Sequence, residues 1–569
     1  MRIGKQYGLL TAMLMLCAIA FIAFGRSILF GYAPIDDAFV VVRNLATRGP
    51  TFAHIKAAFT SFDPELYIPA TIVSFQLNYL ISGFAPWSYH LMNVLLHGMN
   101  AVLLFLILKK ITAAPRASLF AAALFAVHPI NTEVVVWITA RKDLLSTFFA
   151  FASTLAFLRN TRCGILLSIV LFLFALLAKV AVAPLPLIFP LLLTYQRKKW
   201  TRNTLLSVLP FLLLSLIFVA VALFGKERIV QTSHLTETLL LIPMSTLFLL
   251  SKFFFPLNLS PLYEFTDPIS LMNPWIVASL IGFIGVSGLF LCKKSLRPTP
   301  YTLSLVTFLV LLSPAFLTFR KAGTIFLASD RYLYLPSLGL LLLITLLLQN
   351  LSERWSFPKQ VIAGMSGCIV ALLCLLSIRQ TMYWKTADTL FTHALAATPR
   401  SIAARVALAQ TKLDSDDPLQ AFAILKEGLK QKDDVRLHLM AGTIYARVGQ
   451  VSDALAEFRK VTLRSPENAD AWFSIGSIME QTGDSAGALD NYRTAVTLDP
   501  SDVPALVGIG RILAAKDDLN GAEQAFRSAL AWNPNSMEAH RGLATVLAKT
   551  GRTDEAQVHL ELGLELSKP

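Results

Sequence analysis

The chain has 569 residues, of which 55% are hydrophobic and 15% charged, and its mean hydropathy is +0.59. This composition excludes an ordinary water-soluble protein and predicts several membrane-spanning helices. The formal net charge of +14 includes short basic clusters that follow apolar runs, namely Lys109-Lys110, Arg197-Lys198-Lys199 and Lys293-Lys294. Because such clusters are typical of cytoplasmic loops, they argue against nucleic-acid binding.

The first apolar segment, Tyr7–Phe24, follows a short basic N-terminus. It is too long for the apolar core of a signal peptide, so it predicts an uncleaved helix that starts in the cytoplasm. The five cysteines lie in or beside apolar segments and lack metal-ligand spacing. They therefore predict neither a disulfide framework nor a cysteine metal site.

The apolar segments that follow predict about eleven crossings, an odd number that places the C-terminal region on the outer side. Residues 31–87 are predicted to form a long outer loop that contains a partly buried helix. Segment 236–256 is interrupted by prolines and a lysine, which favours a re-entrant segment over a crossing. Residues 1–383 are thus predicted to be a polytopic membrane domain, followed by a linker at 384–401.

Residues 402–569 are predicted to form about five helical repeats with a period of 34 residues. The repeating columns are prolines, small residues and aromatics: Pro466, Pro500 and Pro534; Gly442, Gly476 and Gly510; Phe458, Tyr492 and Phe526. A turn glycine recurs as well, with an aspartate in one slot: Gly449, Gly483, Asp517 and Gly551. This is the tetratricopeptide pattern, whose concave face usually binds a peptide or a protein. The alternative is that the repeats only brace or oligomerise the membrane domain.

The sequence lacks the phosphate-binding loop, the zinc-protease helix and the serine-hydrolase elbow. Candidate chemistry lies instead in polar residues at the predicted outer ends of spans: Asp36-Asp37, His128, Glu133, Arg141-Lys142-Asp143, Lys179 and Ser329–Tyr334. Ionisable residues at membrane level are costly unless they have a function. Their convergence from four segments predicts a site assembled between helices.

Each candidate also has a purely structural interpretation. The Asp36-Asp37 pair can cap the helix that follows it. Glu133, Trp137 and Arg141 are spaced as one solvated helix face. Lys179 can extend its ammonium group to the membrane interface. Because all of these residues are predicted to lie at the same depth, at the outer ends of spans, we favour a functional site.

Two strings carry a family resemblance: HPINTEVVVWITARKDLLS (128–146) and SDRYLYLPSLG (329–339). With an Asp pair after the first span and repeats after the last, the chain resembles the C-type glycosyltransferases. Its strings and repeats are similar to those of the transmembrane and tetratricopeptide repeat-containing O-mannosyltransferases. The resemblance implies an all-α fold, in which a polytopic C-type transmembrane bundle precedes a tetratricopeptide α-solenoid.

The resemblance also implies a reaction. A mannose-like sugar would move from a polyprenyl-phosphate donor to a serine or threonine hydroxyl of a protein, with the repeats recruiting the acceptor or a partner. Two alternatives remain open. The acceptor could be an envelope glycan, or the protein could be a non-enzymatic glycan transporter or scaffold.

This reaction needs a carboxylate to take the proton of the acceptor hydroxyl. We predict Asp36 or Asp37 as that base, with Asp36 ranked first, and Glu133 as a partner acid. His128 and Asp36 are candidates to orient a carboxylate or to hold a divalent metal such as Mg²⁺ or Mn²⁺. No motif in the sequence decides between a metal-dependent and a metal-independent reaction.

The departing phosphate needs cations. The candidates are Arg331, Lys179 and Arg141, and Arg331 ranks first because a guanidinium group can bind phosphate through two N–H groups. The expected partners are the lipid bilayer, the polyprenyl-phosphate sugar and a protein, without nucleic acid. The expected location is a bacterial inner membrane with periplasmic repeats, or an endoplasmic reticulum membrane with lumenal repeats.

Overall fold

The computed structural model describes residues 2–62, 66–195, 202–226, 235–292, 299–321, 324–354 and 358–567. The basic clusters Arg197-Lys198-Lys199 and Lys293-Lys294 lie outside the described residues. The chain divides into two compact units, Met1–Val41 with Ala46–Pro399, and Val42–Leu45 with Arg400–Pro569.

The first unit is built mainly of helices. They are α1 Arg2–Phe24, α2 Phe52–Thr60, α3 Pro69–Ser82, α4 Trp87–Thr112, α5 Pro115–Val127, α6 Thr132–Val136, α7 Arg141–Phe157, α8 Arg162–Ala178, α9 Leu185–Tyr195, α10 Arg202–Lys226, α11 Leu235–Phe254, α12 Pro274–Cys292, α13 Pro300–Leu312, α14 Ser337–Arg354, α15 Lys359–Tyr383 and α16 Ala387–Ala397.

Six helices of the described chain are long and apolar enough to cross a membrane, or up to seven if a bent pair counts as one span. They are Gly8–Leu29, Trp87–Thr112, Leu206–Gly225, Leu235–Phe254, Pro300–Leu317 and Gln360–Tyr383, with Pro115–Val127 and Pro129–Val136 as the bent pair. The protein is therefore a multi-pass membrane protein. The sequence predicts about eleven crossings because it also counts apolar helices such as α8 and α9, which are shorter than a bilayer normally requires.

Helix α4 packs against α1, α5 and α7 at the centre of the first unit. Its buried His97 joins Nδ1 to the Tyr334 hydroxyl at 2.8 Å and Nε2 to the Ala126 carbonyl at 3.1 Å. The Asn100 amide donates to the Leu144 carbonyl at 3.0 Å. Buried polar side chains that are paired in this way fix neighbouring helices relative to one another. The network holds the strings 128–146 and 329–339 against the same helix.

A small antiparallel sheet precedes the second string, although the sequence predicts only helices. Strands β1 Tyr263–Glu264, β2 Arg320–Lys321 and β3 Thr324–Ala328 are arranged in the order β1-β3-β2. Tyr263 lies opposite Ala328 in the register. Because β3 ends there, the sheet positions the turn that begins at Ser329.

Helix α11 is one continuous helix of 20 residues, so the re-entrant shape predicted for 236–256 is wrong. Its two ends contact the small sheet and the first string, respectively. Near its start, Glu237 accepts a hydrogen bond from Arg320 at 2.8 Å. At its end, the Phe253 carbonyl lies 2.9 Å from Nε2 of His128. The α11 helix therefore runs beside the sheet and the second string.

The segment 384–401, predicted as a linker, is partly helical because α16 lies within it. The His393 ring stacks on Tyr383 at 3.6 Å, and its Nε2 lies 3.0 Å from the Leu259 carbonyl. These contacts tie α16 to the membrane unit, which extends to Pro399.

The second unit contains five helix pairs, as the repeat period predicts. They are α17 Ile402–Asp414, α18 Pro418–Gln431, α19 Val435–Arg447, α20 Val451–Arg464, α21 Ala469–Gln481, α22 Ser485–Leu498, α23 Val503–Ala515, α24 Leu519–Trp532, α25 Met537–Lys549 and α26 Thr553–Leu566.

The small and aromatic columns of the repeats meet inside each pair. A Cβ atom added at Gly476 would lie 2.8 Å from the Tyr492 ring, and one added at Gly510 would lie 2.8 Å from Phe526. Only glycine allows the two helices to approach this closely. In the turn column, Asp517 takes a left-handed φ of +63°, as the glycines do in the same slot of the other repeats.

Candidate active site

The two adjacent aspartates have opposite environments. Asp37 is fully buried, and its Oδ1 accepts hydrogen bonds from the backbone N–H and the hydroxyl of Thr139 at 2.8 and 2.5 Å. Its Oδ2 accepts from the Ala33 N–H at 2.8 Å. Asp36 is exposed, and its carboxylate has no hydrogen bond or ion pair to any described residue. The Asp37 carboxylate therefore joins the first outer loop to the 128–146 string and does not cap the helix that follows it.

Burial raises the pKa of Asp37 to about 6. The hydrogen bonds from Thr139 and Ala33 lower this pKa, and the neighbouring charge of Asp36 raises it. A group in this position supports the loop and offers no free oxygen to a substrate. Asp36 is thus the carboxylate of the pair that an incoming hydroxyl can reach.

Trp137 connects the aspartate loop to a group of cations. Its Nε1 donates to the Ile35 carbonyl at 2.7 Å, next to the Asp pair. The Arg331 guanidinium lies 4.9 Å and the Lys142 ammonium 5.6 Å from the centre of its ring. Cations are attracted to an indole ring in this geometry. Trp137 is buried, so the interpretation of a solvated helix face is wrong.

Glu133 holds the second string in place. Its carboxylate accepts from the Ser329 hydroxyl at 2.7 and 3.0 Å. It also accepts from the backbone N–H of Arg331 at 3.2 Å and from Nη1 of Arg331 at 3.1 Å. Glu133 is only 2% exposed, and its carboxylate faces Ser329 and Arg331 rather than solvent.

Asp330 is anchored separately from its neighbours. Its Oδ1 accepts a hydrogen bond from the Tyr263 hydroxyl at 2.9 Å. Burial and then the charge of Glu133 raise the pKa of Asp330 well above its usual range. Ser329 and Arg331 thus bind Glu133 while Asp330 between them binds Tyr263, and these two anchors fix the direction of the arginine side chain.

Arg141 does not fit the predicted role of a phosphate ligand, because its side chain is fully buried. It donates to Asn93 Oδ1 at 2.9 Å, to the Tyr89 carbonyl at 2.7 Å and to Asn78 Oδ1. It also packs over the Phe75 ring at 4.7 Å. With acceptors on both ends of the guanidinium group, Arg141 is a structural residue that ties α7 to α3 and α4.

Lys142 and Lys179 are two lysines that lie near each other beside these strings. Lys179 forms an ion pair with Asp143 at 2.5 Å, so it does more than extend to a membrane interface. Lys142 is 8% exposed and forms no ion pair with a described residue. It is close enough to Lys179, Arg331, Asp143 and Asp36 to interact electrostatically with all four.

His128 does not fit the predicted role of a metal ligand. Its Nδ1 accepts from the Ile130 N–H at 3.2 Å, its Nε2 lies 2.9 Å from the Phe253 carbonyl, and its ring stacks on Phe253. Both ring nitrogens are therefore occupied by backbone groups. Within the described ranges, no three His, Cys, Asp or Glu side chains gather as a metal site. The pair of His128 and Asp36 is thus not supported as a ligand set for Mg²⁺ or Mn²⁺.

The two strings also contain residues that contact the site but carry no signal of a role in the sequence. Thr139 lies inside the first string and is not among the polar candidates, whereas Lys142 and Ser329 are candidates only as members of polar clusters, without a role of their own. A threonine or serine that binds a buried carboxylate leaves no spacing signal in the sequence. Their roles follow only from the packing of the two strings against each other.

Comparisons with known proteins agree with both units. The tetratricopeptide repeat family matches residues 439–503 and 513–567, which confirms the repeat array. Protein O-mannosyl-transferase TMTC3 of Mus musculus is 26% identical over 455 residues, which cover 69% of this chain and 47% of that protein. The Homo sapiens protein of the same name is 27% identical over 444 residues, covering 68% and 47%.

A shorter stretch of 95 residues is 43% identical to protein O-mannosyl-transferase Tmtc2 of Drosophila melanogaster and covers 16% of this chain. These similarities confirm the resemblance to the transmembrane and tetratricopeptide repeat-containing O-mannosyltransferases. The chain spans about half the length of the TMTC3 relatives it matches.

Proposed function

We propose that this protein is a C-type membrane glycosyltransferase that moves a mannose-like sugar from a polyprenyl phosphate to a serine or threonine hydroxyl of a protein. The observation that carries the proposal is that an exposed carboxylate, Asp36, interacts electrostatically with Lys142, which also lies near the cations Arg331 and Lys179. The relatives named protein O-mannosyl-transferases support the choice of sugar and acceptor.

In the proposed reaction, the acceptor oxygen attacks the anomeric carbon of the sugar. The bond between that carbon and the phosphate oxygen breaks, and the phosphate leaves with the electron pair. Asp36 takes the proton of the attacking hydroxyl. Because phosphate is already a good leaving group, cations that stabilise its growing charge replace a general acid.

Arg331 is the first of these cations. One side of its guanidinium group is held by Glu133 and its face lies on Trp137, so its direction is fixed before a donor binds. Such preorganisation lowers the cost of stabilising charge in the transition state. Lys179 is the second cation, held at the site by Asp143.

The repeats recruit the acceptor protein or a partner, on the outer side of the membrane. Arrays of this kind bind extended peptides along a concave face. The sugar donor reaches the site from the bilayer, because its polyprenyl chain is apolar. The acceptor thus approaches Asp36 from the aqueous outer side, and the donor approaches it from the bilayer.

The test is transfer from a panel of radiolabelled polyprenyl-phosphate sugars by the purified full-length protein in lipid vesicles, with native membrane proteins as acceptors. We expect label from the mannose donor on polypeptide, released by chemical cleavage of serine- and threonine-linked sugars. Label found only on glycan or lipid would replace the protein acceptor with an envelope glycan. Donor binding without any transfer would favour the transporter or scaffold.

A further inference from the structure

Lys142 is a buried cation without a counter-ion. Its side chain is 8% exposed, and its ammonium group forms no hydrogen bond or ion pair with any described residue. Burying an isolated ammonium group costs free energy unless a partner compensates it. The fold retains this cost although a neutral residue of similar length would fill the same space.

The surroundings of Lys142 favour an anion. Its ammonium lies over the Trp137 ring at 5.6 Å, and the positive groups of Lys179 and Arg331 are close enough to repel it. Lys142 also belongs to the first turn of α7, where the helix dipole is positive. An incoming anion would relieve this repulsion.

The neighbouring charges are already paired with one another. Lys179 binds Asp143 and Arg331 binds Glu133, which leaves Lys142 and Asp36 as the cation and the anion without a direct partner in this group. They interact electrostatically but form no ion pair with each other. Because no ion pair joins them, both groups are available to a reacting group that enters the site.

We propose that Lys142 binds the phosphate group of the lipid donor and of the lipid phosphate that leaves, taking the place that the sequence assigns to Arg141. The identity of that anion rests on the proposed function. The side chains of adjacent helical residues point about 100° apart. Arg141 therefore faces the interior of the bundle, whereas Lys142 faces the site.

The reaction changes the charge that Lys142 meets. A phosphate diester carries one negative charge, whereas the phosphate monoester that leaves carries nearly two at neutral pH. The electrostatic attraction to a fixed cation grows with that charge. Lys142 therefore binds the leaving phosphate more tightly than the donor, as stabilisation of the transition state requires.

The experiment measures binding of geranylgeranyl phosphate to the purified full-length protein in detergent. The variants are Lys142→Met, which keeps the stem on Trp137 without the charge, and Lys142→Arg, which keeps the charge. Lys109→Met is the matched control, because Lys109 also lies over an aromatic ring, Phe105 at 5.7 Å, and belongs to no part of the site. Uncharged geranylgeraniol is the control ligand.

We expect Lys142→Met to weaken binding of geranylgeranyl phosphate by roughly 10- to 100-fold, the range for a hydrogen bond to a charged group. Lys142→Arg should retain most of the affinity, and neither geranylgeraniol binding nor the Lys109→Met variant should change. The melting temperature of Lys142→Met should not fall, because the variant removes an uncompensated buried charge.

Unchanged phosphate affinity in a folded Lys142→Met protein would overturn the proposal, as would an equal loss for geranylgeraniol. A lower melting temperature with unchanged phosphate affinity would assign Lys142 a structural role instead. The proposed function can fail separately. Charge-dependent phosphate binding in a protein that transfers no sugar would uphold the role of Lys142 and contradict the transferase.

Discussion

Asp36 has a left-handed backbone conformation, with φ +58°, which is rare outside glycine. Aspartate and asparagine both tolerate this region, so Asp36→Asn removes the charge and keeps the turn. We predict that Asp36→Asn leaves the melting temperature unchanged, because the carboxylate has no partner among the described residues. Thermal unfolding of the purified protein in detergent measures this.

Asp37→Asn is the opposite case at the neighbouring position. An asparagine can offer its oxygen to Thr139, but its NH₂ group then faces the Ala33 N–H, and two donors cannot bond. We predict a loss of about 1–3 kcal/mol of stability, the cost of an unsatisfied buried group. Equal melting temperatures for Asp36→Asn and Asp37→Asn would contradict this difference between a buried, hydrogen-bonded carboxylate and an exposed one.

Glu133 tests the distinction between a base and a positioning residue. In Glu133→Gln one oxygen becomes an NH₂ group, which cannot accept from Ser329 or Arg331. We predict that donor binding and turnover fall together, because Arg331 loses its anchor. Donor affinity and kcat measured side by side check this, with Glu353→Gln at the exposed end of α14 as the control.

A Glu133→Gln protein that binds the donor normally and yet does not turn over would make Glu133 the base. That outcome would also remove the basis for ranking Asp36 first. The exposed fractions of the two side chains argue against it, since Glu133 is 2% exposed whereas Asp36 is exposed.

At the scale of elements, α11 has the length and apolar composition of a membrane span, but the contacts at its two ends argue against a crossing. Its start binds Arg320 of β2, and its end binds His128. The hairpin of β2 and β3 has backbone N–H and C=O groups at its edges, and lipid hydrocarbon cannot form hydrogen bonds with them. The hairpin, and the helix that lies along it, are therefore not surrounded by lipid tails. We therefore expect α11 to lie along the sheet with both of its ends on one side of the membrane, although it has the length and composition of a span.

We predict that Leu235→Cys and Leu257→Cys react with a membrane-impermeant thiol reagent from the same side. Both leucines are exposed, at 73% and 58%; Leu235 is the first residue of α11 and Leu257 follows its end. The background carries serine at the five native cysteines. Labelling of the two positions from opposite sides of sealed vesicles would instead make α11 a crossing and change the parity of the topology.

For the whole molecule, the regular patterns were the most predictable part. The period of 34 residues identifies the repeats because small and aromatic residues must meet in every helix pair, as Gly476 and Tyr492 do. The apolar runs identify a membrane domain for an equally general reason. Both signals are repeated many times along the chain, so the loss of one position does not hide them.

The site was predictable in its segments but not in its individual side chains. Both strings contribute to it, yet Arg141 is hydrogen-bonded to α4 whereas Lys142 lies over Trp137, and Asp37 is buried whereas Asp36 is exposed. Adjacent residues share the same sequence context and differ only in the direction of the side chain. That direction depends on contacts between segments about a hundred residues apart, such as Asp37 with Thr139.

The most direct test of the whole account is a single-turnover measurement of sugar transfer. Wild-type and Asp36→Asn proteins in lipid vesicles would be loaded with radiolabelled polyprenyl-phosphate mannose and mixed with an acceptor protein, with bound donor quantified in each sample. We predict equal donor binding and a transfer rate that falls by roughly 100- to 10,000-fold in Asp36→Asn, the range for loss of a general base. Transfer at the wild-type rate by the Asp36→Asn protein would contradict the account.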